Sequence, residues 1–169
     1  INKAGCVVYS DSESGSYQVR FKDGEFWWIP ASFLFKAAPT LYLIRGVPGS
    51  GKSTLAQQLF DCGLVAAVYE ADSHFIKEDG SYVFEPKQLS RAHSLCQARA
   101  FEDLKAGNSV AVSNTSTTEK EVAVYQQMAE ELGAKFVSLV VESRHDGENQ
   151  HGVSEEKLEQ MRNRFSVKL

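Results

Sequence analysis

Cysteine is scarce in this chain, which has three among 169 residues. Cys6, Cys62 and Cys96 are odd in number, lie far apart and form no CxxC pair, so we expect neither a disulfide framework nor a zinc site. No apolar run reaches the roughly 18 residues of a membrane span, and no basic segment followed by an apolar one indicates a signal peptide. We therefore expect a cytoplasmic protein that has no membrane partner.

An excess of basic residues is also missing. Lys and Arg total 18 against 22 Asp and Glu, which gives a net charge of −4. This balance disfavours non-specific coating of nucleic acid, which needs a strong positive field, but it permits a local basic groove. The sequence contains no internal repeat and no low-complexity stretch. With 43% hydrophobic and 24% charged residues, the composition is that of a globular protein with one domain, or one domain and a small appendage.

The first 36 residues have a pattern of their own. Segments 6–9, 17–21 and 26–29 are rich in β-branched and aromatic residues, which predicts three short strands. The Asp23-Gly24 pair predicts a hairpin turn. With FKDG followed by Ala-Ser-Phe-Leu, the segment resembles a Tudor-like or Src-homology-type small β-barrel. The resemblance implies a module at 1–36 that binds peptides, methylated tails or nucleic acid, or one that simply packs on a neighbour.

From residue 39 to residue 169, apolar strand segments alternate with helical segments. Strands are predicted at 41–45, 66–69, 110–112 and 136–141, and helices at about 53–60, 86–106, 116–133 and from 154 onward. Ser116-Thr-Thr-Glu119 is predicted to be the capping box that opens the third of these helices. Continuous apolar strands that alternate with helices predict an α/β domain, with a parallel sheet covered by helices on both faces.

A phosphate-binding motif follows the first of these strands. Gly46-Val-Pro-Gly-Ser-Gly-Lys-Ser53 matches GxxxxGK[ST] at every position, between a strand and a helix. In such a P-loop, the backbone N–H groups and the helix N-terminus surround phosphate oxygens, the lysine contacts the β- and γ-phosphates, and the hydroxyl binds Mg²⁺. We expect a P-loop fold that binds a nucleoside triphosphate and Mg²⁺. The absence of a guanine-reading [NT]KxD motif favours ATP as the nucleotide. The expected nucleotide-binding residues are Gly46, Val47, Pro48, Gly49, Ser50, Gly51, Lys52, Ser53 and Thr54, with Ser53 as the metal ligand.

An acidic residue follows the second strand of this domain. The third strand ends in Ser113-Asn114-Thr115 and so lacks the aspartate of a Walker B element. In P-loop kinases the position of Asp72 holds the base that takes the proton from an acceptor hydroxyl. Two other interpretations stay open: Asp72 caps the segment 73–76, or Asp72 or Glu70 holds Mg²⁺ through water.

Four segments together resemble the AAA-type P-loop kinase family that includes bacteriophage polynucleotide 5′-kinase. They are LYLIRGVPGSGKSTLA, YEADSHF, VAVSNTSTT and NQHGVSEEKLEQMRNRF, and the resemblance spans about 39–165. It implies that Asp72 is the general base and that Asn114 replaces a carboxylate in the family's Ser-Asp-Thr segment. It also implies a lid at 143–152, in which Arg144 is the one arginine and Glu148 stands where an arginine often precedes the asparagine.

These observations predict an ATP-dependent, Mg²⁺-requiring phosphotransferase that acts on the 5′-hydroxyl of a polynucleotide. Asp72 would be the base, and Lys52 and Arg144 would stabilise the charge of the transferred phosphate. The nucleic-acid acceptor would lie in a local groove, with Arg91, Arg99, Asn114 and Thr115 as candidate contacts. Two alternatives remain: a small-molecule kinase of the zeta-toxin-like type, and an ATP-binding interaction module without robust catalysis.

Overall fold

The computed structural model describes residues 5–34, 37–142 and 152–168. The chain divides into two compact units, Ile1–Ala37 and Ala38–Leu169. The first unit contains three antiparallel strands in the order β1-β2-β3, followed by one turn of 3₁₀ helix at Ala31–Phe33. The strands are β1 (Gly5–Asp11), β2 (Ser16–Phe21) and β3 (Phe26–Pro30).

The prediction of a Tudor-like barrel is wrong. Among residues 5–34, β2 pairs with both neighbours while β1 and β3 do not pair with each other, so the sheet stays open. An open sheet of three strands has little interior: Val19 is buried at 3% exposure, whereas Trp27 and Trp28 are 57% and 53% exposed. Neighbouring strand residues point to opposite faces of a sheet, so neither face of this open sheet buries its tryptophan.

The second unit is an α/β fold, as predicted. Its four strands form a parallel sheet in the order β5-β6-β4-β7. The strands are β4 (Thr40–Arg45), β5 (Ala67–Tyr69), β6 (Val110–Ser113) and β7 (Lys135–Val140). The helices are α1 (Lys52–Asp61), α2 (Leu89–Lys105), α3 (Glu119–Glu131) and α4 (Glu155–Asn163), with 3₁₀ turns at Ala71–Phe75 and Pro86–Gln88.

Hydrophobic side chains cover both faces of this sheet because successive strand residues point in opposite directions. On one face, Ile44 and Ala111 pack with Ala56 of α1. On the other face, Leu43 and Val112 belong to a larger cluster with buried residues of α2 and α3. Because the four strands are parallel, their carboxyl ends lie at one end of the sheet, which is where α/β proteins bind their ligands.

The helix α3 begins two residues later than predicted. Its capping box consists of Thr118 and Glu121, not Ser116 and Glu119. Ser116 is buried with a backbone φ of 38°, outside the helical region. The carbonyl oxygens of Ser116 and Thr117 accept hydrogen bonds from Arg45 and from the backbone of Ser166. These contacts hold the two residues in a buried turn and delay the start of the helix.

The helices of the described ranges are all too short or too polar to cross a membrane.

Candidate active site

The P-loop connects β4 to α1, and the structure explains why each of its three glycines has no side chain. Gly49 and Gly51 have φ angles of 81° and 91°, which side chains disfavour. A Cβ atom on Gly46 would overlap Ser50 Oγ and would lie 2.6 Å from the carbonyl oxygen of Val141. The loop therefore tolerates no side chain at Gly46, and its glycine spacing follows from this close packing.

The helix α1 starts directly after the loop. Lys52 Nζ donates a hydrogen bond to the carbonyl oxygen of Val47 at 2.9 Å, so the ammonium group lies back across the loop. Ser53 is exposed in the first helical turn, which carries no acidic side chain to compete for the positive end of the helix. The first turn can therefore accept an anion, and the Ser53 hydroxyl is accessible to a cation bound beside it.

Lys52 is close to the acidic residues that follow β5. Burial lowers the pKa of Lys52, and the negative charges of Glu70 and Asp72 act in the opposite direction. Asp72 lies in the 3₁₀ turn Ala71–Phe75 and is half-buried. The two groups predicted to act on the phosphate and on the acceptor thus lie within electrostatic range of each other.

The side chain of Tyr82 lies against Asp72. Burial raises the pKa of Tyr82, and the charge of Asp72 and a hydrogen bond to it raise that pKa further. Tyr82 reaches this position because residues 76–82 form a tight turn, with a bridge between Ile76 and Tyr82. Asp72 therefore has the Tyr82 hydroxyl as a hydrogen-bond partner and the Lys52 ammonium within electrostatic range.

Asn114 is buried beneath the turn that carries Asp72. Its Oδ1 accepts a hydrogen bond from the backbone N–H of Ala71 at 2.9 Å. Its Nδ2 donates to Tyr125 Oη at 3.3 Å and contacts Cys96 Sγ at 3.6 Å. An amide supplies both a donor and acceptors, whereas a carboxylate supplies acceptors only. The Asn114 amide, directly after β6, therefore joins the segment after β5 to Tyr125 of α3.

The other candidate acceptor contacts have different surroundings. A cavity of about 310 Å³ lies between α2 and the segment after β5. Arg99 lines this cavity together with Glu70, Ser73 and His74. Arg91 is exposed on α2 and is absent from the lining. Thr115 is half-buried, and its carbonyl oxygen accepts from the Gly46 N–H at 3.4 Å.

The last residue of β4 is a buried arginine, Arg45, for which the sequence predicted no role. Arg45 is 4% exposed; its Nε donates to the Ser116 carbonyl oxygen at 2.8 Å and its Nη2 donates to that of Ser166 at 2.7 Å. The guanidinium lies 5.1 Å from the centre of the Phe165 ring. Burial lowers the pKa of Arg45, against the charges of two glutamates of α3. A charged residue in an apolar strand, directly before the P-loop, was the available signal.

Oxygen ligands for Mg²⁺ are available at the start of α1. The described residues contain no cluster of three or more His, Cys, Asp or Glu side chains that could enclose a metal. Mg²⁺ commonly binds through one or two protein oxygens, substrate phosphates and several waters. The exposed Ser53 hydroxyl fits a direct ligand of that kind. Nearby, Glu70 Oε1 and Ser113 Oγ are buried without a hydrogen-bond partner, and these oxygens fit contacts to water on the ion.

The two residues named for the predicted lid, Arg144 and Glu148, lie outside the described residues.

The chain has a human relative of much greater length. It is 30% identical over 168 residues to human NEDD4-binding protein 2, which covers 95% of this chain. The chain spans 9% of the length of that relative.

Solved structures share the fold of the second unit. A chain of the Pnkp1/Rnl/Hen1 RNA repair complex matches with a TM-score of 0.60 and 18% identity, over 80% of this chain and 46% of that one. The APS kinase CysC of Mycobacterium tuberculosis matches with a TM-score of 0.50 and 16% identity, over 75% of this chain and 96% of that one. The four-stranded parallel sheet with helices on both faces is thus the fold of P-loop kinases. The family described as AAA domain matches residues 41–167, from β4 through α4, and the chain belongs to this family.

Proposed function

We propose that this protein is a phosphotransferase that moves the γ-phosphate of ATP to the 5′-hydroxyl of a polynucleotide. One observation carries the proposal: Asp72 is near enough to the P-loop lysine for its charge to act on the Lys52 ammonium. A phosphate-binding cation beside a carboxylate is the arrangement that phosphoryl transfer to a hydroxyl requires.

Each group would have a distinct role. The P-loop amides and Lys52 would bind the β- and γ-phosphates, and the Lys52 ammonium would stabilise the negative charge of the transferred group. Asp72 would accept the proton of the attacking hydroxyl, while Tyr82 keeps its carboxylate in place. Mg²⁺, bound by Ser53, would neutralise phosphate charge. Arg144, in the lid that the family resemblance implies, would add a second cation.

The surroundings of Asp72 favour an acceptor with a flat ring and a charged backbone. Phe75 is buried at 4% exposure, so its ring is not available to stack on a base. Phe84, whose ring centre lies 5.1 Å from that of Phe75, is 46% exposed instead. Exposed aromatic rings bind single-stranded nucleic acid by stacking, and arginines bind its phosphates. Phe84 and Arg99 would supply these two contacts, and the similarity to a chain of an RNA repair complex supports a polynucleotide acceptor.

A transfer assay with matched oligonucleotides tests this proposal. ATP labelled in its γ-phosphate would be incubated with the protein and with a 5′-hydroxyl RNA or DNA oligonucleotide. The same oligonucleotide with a 5′-phosphate is the control, because it keeps the 3′-hydroxyl and the sequence. We expect label on the 5′-hydroxyl strand alone, and a rate of labelling about 10²- to 10⁴-fold lower with Asp72→Asn. Preferential labelling of free nucleosides or sugars would replace this proposal with a small-molecule kinase.

A second candidate function is a nucleotide-dependent interaction module. The sheet of the first unit favours it, because Tyr9, Trp27 and Trp28 are each more than half exposed and large exposed apolar groups often mark binding surfaces. ATP binding without transfer to any acceptor in the assay would favour this candidate.

A further inference from the structure

Three buried side-chain oxygens in the described part of the second unit have no hydrogen-bond partner. They are Ser50 Oγ in the P-loop, Glu70 Oε1 after β5 and Ser113 Oγ at the end of β6. Native proteins pair nearly all buried polar atoms, so an unpaired one usually marks a place where water, an ion or a ligand binds. Ser50 is packed against Gly46, which explains its burial. The oxygens of Glu70 and Ser113 need another explanation.

The sheet register brings Glu70 and Ser113 to neighbouring strand ends. Tyr69 is opposite Val112 in the parallel pair of β5 and β6, so the next residues of the two chains are Glu70 and Ser113. Ser113 is in turn opposite Ile44, two residues before the P-loop begins. The two residues therefore lie at the loop end of the sheet, next to the strand that leads into the P-loop.

Strand alternation places both residues on the face of α1. Ala111 and Val68 pack in the cluster on that face, and Ser113 and Glu70 each follow two positions later. Glu70 has extended backbone angles, φ −132° and ψ 134°, so it continues the alternation of β5. Its charge acts on Lys52, the first residue of α1. Both residues are thus at the strand ends next to the P-loop, and Glu70, which also lines the cavity beside α2, has its charge within range of the P-loop lysine.

P-loop proteins commonly place a carboxylate at the end of the β6-like strand to hold the metal. This chain has Ser113 and Asn114 there, and the amide atoms of Asn114 are engaged with Ala71 and Tyr125. The nearest carboxylate to Ser113 in the sheet register is Glu70, on the adjacent strand. The carboxylate function is therefore available from β5 instead of β6.

We infer that Glu70 and Ser113 together hold the water shell of the Mg²⁺ ion that accompanies ATP at this P-loop. The inference rests on the nucleotide binding of the proposed function and not on phosphate transfer. In this arrangement the Glu70 carboxylate accepts hydrogen bonds from water bound to the ion, and the Ser113 hydroxyl forms a hydrogen bond with the same water shell. Mg²⁺ keeps several waters when it binds to proteins, so contacts through water suit it better than a closed set of protein ligands.

The test measures how much Mg²⁺ strengthens ATP binding. Calorimetric titrations of ATP into the full chain, with Mg²⁺ or with EDTA, give two dissociation constants, and their ratio is the metal effect. We expect Glu70→Gln to reduce this ratio about tenfold, through weaker binding of MgATP. Binding of metal-free ATP should stay the same or become tighter, because the variant removes a negative charge near the phosphates. Glu131→Gln, at the exposed end of α3, is the matched control.

Ser113→Ala provides an independent variant. It removes a buried hydroxyl that has no partner, so the melting temperature without nucleotide should not fall, while the metal effect should be reduced several-fold. Equal changes of ATP affinity with and without Mg²⁺ in Glu70→Gln would mean that Glu70 acts only through its charge on Lys52. This result would overturn the inference. An unchanged ratio in both variants would also overturn it. Wild-type protein that shows the metal effect but transfers no phosphate would contradict the proposed function alone.

Discussion

The side-chain oxygen of Asn114 accepts a hydrogen bond from the backbone N–H of Ala71 at 2.9 Å. This bond links the end of β6 to the residue that precedes Asp72. Because the Asn114 amide also donates to Tyr125, it connects the Asp72 segment with a buried residue of α3. The position of Asp72 therefore depends on packing deep in the domain as well as on its own turn.

Replacing Asn114 tests this connection. Asn114→Asp keeps an acceptor for Ala71 but loses the donor to Tyr125 and puts a carboxylate in a site that is 7% exposed. We expect a loss of about 2–4 kcal/mol in the free energy of unfolding at neutral pH. Burial raises the pKa of such a carboxyl, so the loss should be smaller at acidic pH, where the group is protonated. Urea unfolding at several pH values measures this, with the exposed Asn163→Asp as control. Stability equal to wild type at neutral pH would contradict it.

Lys52→Ala should abolish tight binding of ATP. The ammonium is the cation of the P-loop, and its loss should weaken phosphate binding by several kcal/mol, on the order of 3. The dissociation constant of ATP would rise by about two orders of magnitude in calorimetry. The matched control is Lys120→Ala, on the exposed side of α3. Wild-type affinity in Lys52→Ala would contradict a nucleotide site at this loop.

Asp72→Asn should separate chemistry from binding. As general base, Asp72 acts on the acceptor and not on the nucleotide, so kcat should fall by about 10²- to 10⁴-fold while ATP affinity changes little. The assay is phosphate transfer to the 5′-hydroxyl oligonucleotide, next to an ATP titration and a melting curve. A lower melting temperature with retained turnover would instead support a structural role in the turn Ala71–Phe75.

Two arginines of α2 should differ in their effect on the acceptor. Arg99 lines the cavity beside Glu70, whereas Arg91 is exposed outside it, so Arg91→Ala is the natural control for Arg99→Ala. We expect Arg99→Ala to raise the KM for the oligonucleotide several-fold and to reduce the salt dependence of its binding. ATP affinity should not change in either variant. Equal effects of the two substitutions would mean that the acceptor follows the exposed face of α2 and not the cavity.

Arg45→Lys should destabilise the domain although the charge is kept. The guanidinium donates to the carbonyl oxygens of Ser116 and Ser166, and a lysine ammonium cannot reproduce this fork. Loss of one such bond costs about 1.5–3 kcal/mol, which corresponds to a fall in melting temperature of about 3–12 °C. Arg162→Lys, in an exposed ion pair of α4, should change the melting temperature by less than about 2 °C. Equal shifts would contradict the role of Arg45.

Local patterns in the sequence determined much of this protein. The P-loop needs glycines at fixed positions, because backbone angles and close packing exclude side chains there. Apolar strands alternating with helices predicted the parallel sheet, since only a sheet covered on both faces buries such strands. The place of Asp72 after the strand β5 was enough to make it the candidate for the general base. These features depend on residues close together in the chain, so they can be read without knowing the tertiary structure.

Contacts between distant segments were decided by the tertiary structure alone. The barrel prediction failed because closure requires pairing between β1 and β3, which no local pattern specifies. The start of α3 moved because Arg45 and Ser166, which are far from it in sequence, hold the turn before it. The family resemblance marked Asn114 only as the replacement of a carboxylate. In the folded chain its amide joins Ala71 to Tyr125 through two hydrogen bonds. The free energy of burying a polar group depends on its partners, and those partners come together only in the folded chain.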